Sequence, residues 1–273
     1  MTKKIFRPVS YLLILAMGLA MTFTSCEKTP DAMDLPPKES LSIALDVFPS
    51  DGSNQKSADA FAGNWLYSAG NVLVWNVVLA ANVAIPVFAY AEAFNNTPVY
   101  LGDDTWEWAY SVTTGGATYV ASLIGERENN EEFTMKMYLT KSGVEGFDSF
   151  LWFSGLIRYD HTAANWNMNL NPSDPDPFMD IAYHKDFEAG TADIRYTCVD
   201  AMNDLYEGFI EYGVDPEFDY DAYYTISRSV DDVTYIEWNT ISAAGRVADE
   251  LHFGDDLWHY WDATLLDVAY PVE

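Results

Sequence analysis

From Ala60 to Ala91 the chain carries no charged residue. Within this stretch Tyr67 to Phe94 reads as one long helix, apolar on nearly every side, with Asn71, Asn76 and Asn82 as its main polar interruptions and a kink expected near Pro86. Such a helix either crosses a membrane or is wrapped by the rest of the chain. The flanks favour wrapping. Asp59 precedes the uncharged stretch, Glu92, Asp103 and Asp104 follow it, and the nearest basic residues are Lys56 and, far downstream, Arg127. That charge pattern is wrong for a stop-transfer segment.

The rest of the chain supplies the wrapping. Leu41–Val47 alternates as a first short strand would, and Ser50–Lys56 is a polar loop. From Thr105 onward, short alternating segments succeed one another: 105–112, 117–126, 132–141, 149–159, 165–170, 178–184, 192–199, 208–212, 220–228, 234–239, 245–253 and 258–268. Thr113-Thr114-Gly115-Gly116 is a hairpin turn, and Asn171–Pro177 is a proline-rich break. The expected fold is mainly β, an antiparallel β-barrel or strongly curved sheet of about ten to twelve strands with the apolar helix packed in or against its concave face. It forms a single β-rich domain over residues 41–273. A short echo, Leu101-Gly102-Asp103-Asp104-Thr105-Trp106 and Phe253-Gly254-Asp255-Asp256-Leu257-Trp258, suggests two strands that begin with the same turn and lie as neighbours closing the sheet.

The N-terminus has a different character. Lys3, Lys4 and Arg7 precede an apolar run from Tyr11 to Phe23, which is short for a comfortable span and ends in Thr24-Ser25-Cys26. This resembles a bacterial lipoprotein signal. The resemblance implies that the Cys26 thiol is acylated, that residues 1–25 are removed, and that the new N-terminus is held to a membrane by lipid. Residues 26–40, with Pro30, Pro36 and Pro37 among Asp31, Asp34 and Glu39, then read as a stiff charged tether.

Charge narrows the partners. The formal net charge is −28, and losing the three cations of the leader would bring the body to about −31. Nucleic acid is excluded as a partner, because phosphate binding needs basic surface. If Cys26 is consumed by lipid, Cys198 stands alone and no internal disulfide can form; its alternating surroundings make it a small core residue.

No catalytic motif stands out. Asp174, Asp176 and Asp180 cluster near the proline-rich break and form the candidate metal site, although the spacing lacks the Asp-x-Asp-x-Asp-Gly calcium loop. Asp215, Glu217, Asp219 and Asp221 alternate along a later break. His161, His184, His252 and His259 show no zinc spacing, and no cofactor is expected. Nine tryptophans are dense for this length; most belong to a core, and Trp106, Trp108, Trp166 and Trp258 are the candidates for a ligand platform. Trp166, among Asn165, Asn167 and Asn169, is expected to be the exposed one.

Three stretches, Asn64-Trp65-Leu66-Tyr67-Ser68-Ala69 with Val74-Trp75-Asn76, Asp221-Ala222-Tyr223-Tyr224, and Ile236-Glu237-Trp238-Asn239 with Gly245-Arg246-Val247 and Trp258–Asp262, resemble uncharacterised lipoproteins of the Bacteroidetes. The resemblance implies an envelope location, expected at the outer membrane, and lends no activity. The expectation is a lipid-anchored envelope protein that binds a ligand or partner without catalysis. A glycan-binding or glycan-processing surface protein and a lipid or lipoprotein chaperone with a half-barrel groove are the alternatives. The partner classes are a membrane through the lipid, and a glycan, an apolar ligand or an envelope protein.

Overall fold

The computed structural model describes residues 30–42, 47–49, 63–229 and 231–269. Cys26 and the leader lie outside the described residues. Helix α1 spans Asn64–Asn82 and α2 Ala84–Ala93. The strands follow as β1 Val99–Gly102, β2 Thr105–Thr114, β3 Ala117–Arg127, β4 Glu132–Lys141, β5 Phe147–Arg158, β6 Ala163–Asn171 and β7 Asp174–Asp186. Then come β8 Thr191–Cys198, β9 Phe209–Val214, β10 Ala222–Ser229, β11 Asp232–Trp238, β12 Gly245–Ala248, the one-turn helix α3 Glu250–Phe253, β13 His259–Trp261 and β14 Asp267–Val268.

The fold is mainly β. Among the described residues fourteen strands form one antiparallel sheet in chain order, and the sheet is not closed: β1 and β14 are its edges. This corrects the barrel expectation and the strand number. Two of the extra strands are the four-residue β1 and two-residue β14, too short to show alternation in the sequence. Short edges also limit pairing with other chains. The echoed Gly-Asp-Asp segments are not neighbours. The first turns β1 into β2 with Asp103 and Asp104 at positive φ, and the second follows α3, whose end Gly254 caps at φ 78°. The proline-rich break shrinks to a turn at Asn171–Asp174, since Pro175 and Pro177 lie inside β7. There β7 runs past Cys198, the last residue of β8, so on that side no ladder needs an N–H.

Burial alternates along the strands, for example Trp106, Trp108, Tyr110 and Val112 on β2 and Phe133, Met135, Met137 and Leu139 on β4. Two bulges break the alternation and turn an extra aromatic inward. Trp152 is the additional residue between the pairs Met137↔Phe153 and Tyr138↔Leu151, and Phe178 that between Met168↔Met179 and Asn169↔Pro177. Glycines make room for rings across the ladder. Gly155 faces Trp166 and Gly245 faces Trp261, and a Cβ at either position would overlap the partner's ring.

The apolar segment is not one helix. It breaks at Val83 and bends by 67° there, and no single described helix is long and apolar enough to cross a membrane. The break lies three residues before the expected kink, because the Pro86 ring excludes the carbonyl of Asn82, four residues back, and supplies no N–H to it. Pro86 itself falls in the first turn of α2, where an N–H is not needed. The helix pair is also not wrapped. Trp65, Val72, Trp75 and Leu79 of α1 are buried against β12 and β13, and α2 packs on β2 and β3, while the opposite side is open.

From Met33 on, the expected tether packs into the core: Met33, Pro36, Ser40 and Leu41 are buried. Met33 lies over Gly125, and Phe48 inserts among Tyr224, Trp238 and Trp261. An irregular strand inside a core needs partners for its carbonyls. Side chains from the surrounding elements provide them. Tyr90 donates to the Pro36 carbonyl at 2.6 Å, Tyr196 to that of Leu41 at 2.6 Å, and the Trp65 indole to that of Pro49 at 2.9 Å.

Candidate functional site

The structure separates the tryptophans singled out from the sequence. Trp166 is fully buried, and Trp106 and Trp108 are nearly so. Trp166 is therefore not the exposed ring: it stands on the inward side of β6 and packs edge-on against Tyr90 and Phe153, while the asparagines beside it point the other way. Trp258 is the one of the four that reaches the surface. Asp174 and Asp176 are exposed at the start of β7, and Asp180 accepts a hydrogen bond from Asn167. Among the described residues no three His, Cys, Asp or Glu side chains group so as to hold a metal ion.

What Trp258 joins is a cleft on the outer face of β10–β12. Tyr223 and Thr225 occupy outward positions of β10, Glu237 one of β11 and Arg246 one of β12. Glu237 and Arg246 are directly opposite in the ladder, and Arg246 Nε donates to Glu237 at 2.7 Å. The guanidinium lies between two rings, 4.9 Å from the Tyr220 centroid and 4.3 Å from that of Trp258. Glu237 and the two rings hold the Arg246 guanidinium. Burial is the largest single influence and would lower its pKa, but the bond and charge of Glu237, together with Tyr260, raise it. On one side of Arg246 opens a cleft of about 500 Å³ lined by Asp215, Phe218, Asp219, Tyr220 and Tyr223. On the other side of Trp258 opens a second, of about 620 Å³, lined by Tyr235, Glu250, Leu251 and Asp256. Burial and the neighbouring Glu211 carboxylate, to which it donates at 3.2 Å, hold the Tyr223 phenol above its ordinary value, so it is a neutral hydroxyl at any physiological pH. The surface thus offers aromatic faces, carboxylate acceptors and one fixed cation.

A second polar cluster lies where α1 meets the sheet. Asp249, between β12 and α3, has a side chain only 1 % exposed. Its Oδ2 accepts from Tyr67 and from Thr234, each at 2.5 Å, and its Oδ1 from the His252 backbone N–H at 3.0 Å. Arg228 stands 3.5 Å from Oδ2 and is itself held by Asp232 at 2.7 Å and by Asn71. The Tyr67 ring stacks on His252 with centroids 3.6 Å apart. Burial pushes the Asp249 pKa up, but the bonds from Thr234, Tyr67 and His252 and the charge of Arg228 together bring it below the usual carboxylate range. Both oxygens are engaged, so this carboxylate locks a helix to a sheet and has no free position for a substrate proton.

Neither cluster was found by sequence reasoning. The Glu237–Arg246 pair had a readable signal, since opposite charges flank a hairpin at positions that must face each other. Tyr67 and Asp249 are 182 residues apart and carry none. Compared with family models, curated proteins and solved structures, the chain matches none of them.

Proposed function

We propose that this chain is a lipid-anchored envelope protein, held through Cys26, whose outer cleft around Arg246 and Trp258 binds a neutral carbohydrate without catalysis. The observation that carries the binding reading is the Tyr220–Arg246–Trp258 stack, with open clefts on both sides. Aromatic faces stack on the apolar faces of sugar rings, and carboxylates and a fixed guanidinium bond hydroxyls. Asp215, Asp219, Glu237, Glu250 and Asp256 around the stack disfavour an anionic ligand. The anchoring reading rests on the Thr24-Ser25-Cys26 signal.

The inner face supports binding outside rather than inside. A flat sheet would set β2 and β13 about 53 Å apart at roughly 4.8 Å per strand, whereas α1 and α2 at their bend span about 37 Å. We infer that the sheet curls so that one helix pair reaches both ends. The helices and the described residues 33–42 and 47–49 then occupy the groove that a lipid or lipoprotein chaperone would need. A non-catalytic role is favoured because Asp249, the most enclosed carboxylate of the two clusters, is saturated.

The test is an array of neutral and acidic oligosaccharides probed with the purified protein, followed by titration of intrinsic fluorescence with the best neutral binder. Trp258→Ala should weaken binding about tenfold or more, as loss of a stacking ring of roughly 1.5 kcal/mol does, with an unchanged unfolding midpoint. Binding of acidic sugars alone, or equal binding by the variant, would overturn the reading.

A further inference from the structure

We propose that the open side of the α1–α2 pair rests on the surface of a lipid bilayer made of uncharged headgroups. The exposed positions are Leu66, Leu73, Val74, Val77, Phe88 and Phe94. Leu73 and Val77 are 60 % and 61 % exposed. Positions 66, 73 and 77 repeat at helical spacing, so α1 presents one apolar stripe outward while Trp65, Val72, Trp75 and Leu79 face the sheet. The stripe from Leu66 to Val77 runs about 17 Å along α1. The bend at Val83 continues it onto α2, where Phe88 is exposed. Contiguous apolar surface of this kind on a monomer marks a contact.

Two observations choose the occupant. First, the chain enters the folded body beside the end of this stripe: Ala32, Met33, Asp34 and Leu35 line a shallow cleft together with Ala93 and Phe94, and Lys38 Nζ lies 5.0 Å from the Phe94 ring. Cys26 is six residues before Ala32, at most about 22 Å of extended chain. On the reading of Cys26 as lipidated, on which this inference rests, a bilayer is therefore within reach of the stripe. Second, charge disfavours a second copy. Two bodies of about −31 each, the full-chain −28 less the leader's three cations, would have to meet, whereas an uncharged membrane adds no repulsion. Interfacial helices commonly use Lys and Arg to hold anionic lipid. None occurs between Ala60 and Ala91, so the contact is apolar and is expected to weaken as anionic lipid is added.

The test uses the full lipidated chain on phosphatidylcholine vesicles. Val77→Cys is labelled with an environment-sensitive fluorophore, and Ile241→Cys, 92 % exposed in the β11–β12 loop, serves as the control. Cys198 is buried and is expected to stay unlabelled under native conditions. Quenchers carried on the lipid chains should dim the label at 77 at least about threefold more than that at 241, as insertion of an apolar face by roughly 5–10 Å requires. The double variant Leu73→Glu, Val77→Glu, labelled at Phe88→Cys, should still pellet with vesicles and lose its quenching. Equal quenching at 77 and 241 on vesicle-bound protein overturns the inference. So does a lipid-independent blue shift at 77 that grows with protein concentration, which would identify a second copy as the occupant. If Cys26→Ser still shows quenching at 77, the helix face is supported and the anchoring reading loses its part in it. If the unmodified chain is not lipidated and label 77 is unquenched, both fall.

Discussion

Replacing Tyr67 by Phe removes one hydroxyl and little else. The ring can keep its stack on His252, but Asp249 loses a donor at 2.5 Å in a site from which water is nearly excluded. A hydrogen bond to a charged group contributes about 1.5–3 kcal/mol net. For a body of this size that is a fall of about 3–12 °C in the thermal midpoint. The pH dependence is the sharper test. Asp249 is held below its unfolded value of about 3.9, so the native carboxylate binds protons more weakly than the unfolded one. The stability it contributes is present above that unfolded value and is lost as pH falls through the native one. The variant keeps Thr234, the His252 N–H and Arg228, and its Asp249 lies closer to the unfolded value. Urea unfolding at pH 7 and pH 5 should give the same gap between the two proteins, and the gap should close below about pH 4. A gap under about 0.5 kcal/mol at pH 7, or one that persists unchanged to about pH 2.5, would refute the account of Asp249 as the charged lock between α1 and the sheet.

Two further outcomes follow from packing. Gly155→Ala should cost about 1–3 kcal/mol, because a methyl group there overlaps the Trp166 ring, which is fixed on all sides. Gly213→Ala meets Tyr223 on the outer face and should cost less, since that ring can swing away; equal urea midpoints for both variants would show that enclosure of Trp166 is not the cause. The Cys198 thiol, buried and pushed above its ordinary pKa by that burial, should react with a thiol reagent only at the rate of unfolding, and fast labelling of the native protein would contradict its place on the inner side of β8.

Strand alternation made most of the sheet legible. The β2–β3 and β3–β4 hairpins, the Gly115-Gly116 turn and the burial of Cys198 are all local consequences of period two and turn chemistry. Trp166 misled because polar neighbours on a strand say nothing about the residue between them: asparagines at alternate positions are compatible with a ring pointing inward. The tether misled for a related reason. Three prolines and four acids read as solvated spacer, yet Met33, Pro36, Ser40 and Leu41 are buried because Tyr90 and Tyr196, distant in sequence, bond the Pro36 and Leu41 carbonyls. Arg246 and Glu237 could have been paired from their places around one hairpin; Tyr220 and Trp258, which hold the guanidinium, could not.

By itself the sequence determined that this protein is built of antiparallel strands with aromatic inward positions, that the stretch from Ala60 to Ala91 is uncharged, and that the body is strongly acidic. These follow from period, composition and net charge, which act locally or over the whole chain. Tertiary structure alone decided that the sheet stays open, with fourteen strands among the described residues, that the apolar segment breaks at Val83, and that one side of it stays exposed. The reason is geometric. Whether an apolar face is covered depends on which elements reach it, and α1 and α2 meet opposite ends of the sheet with one face only.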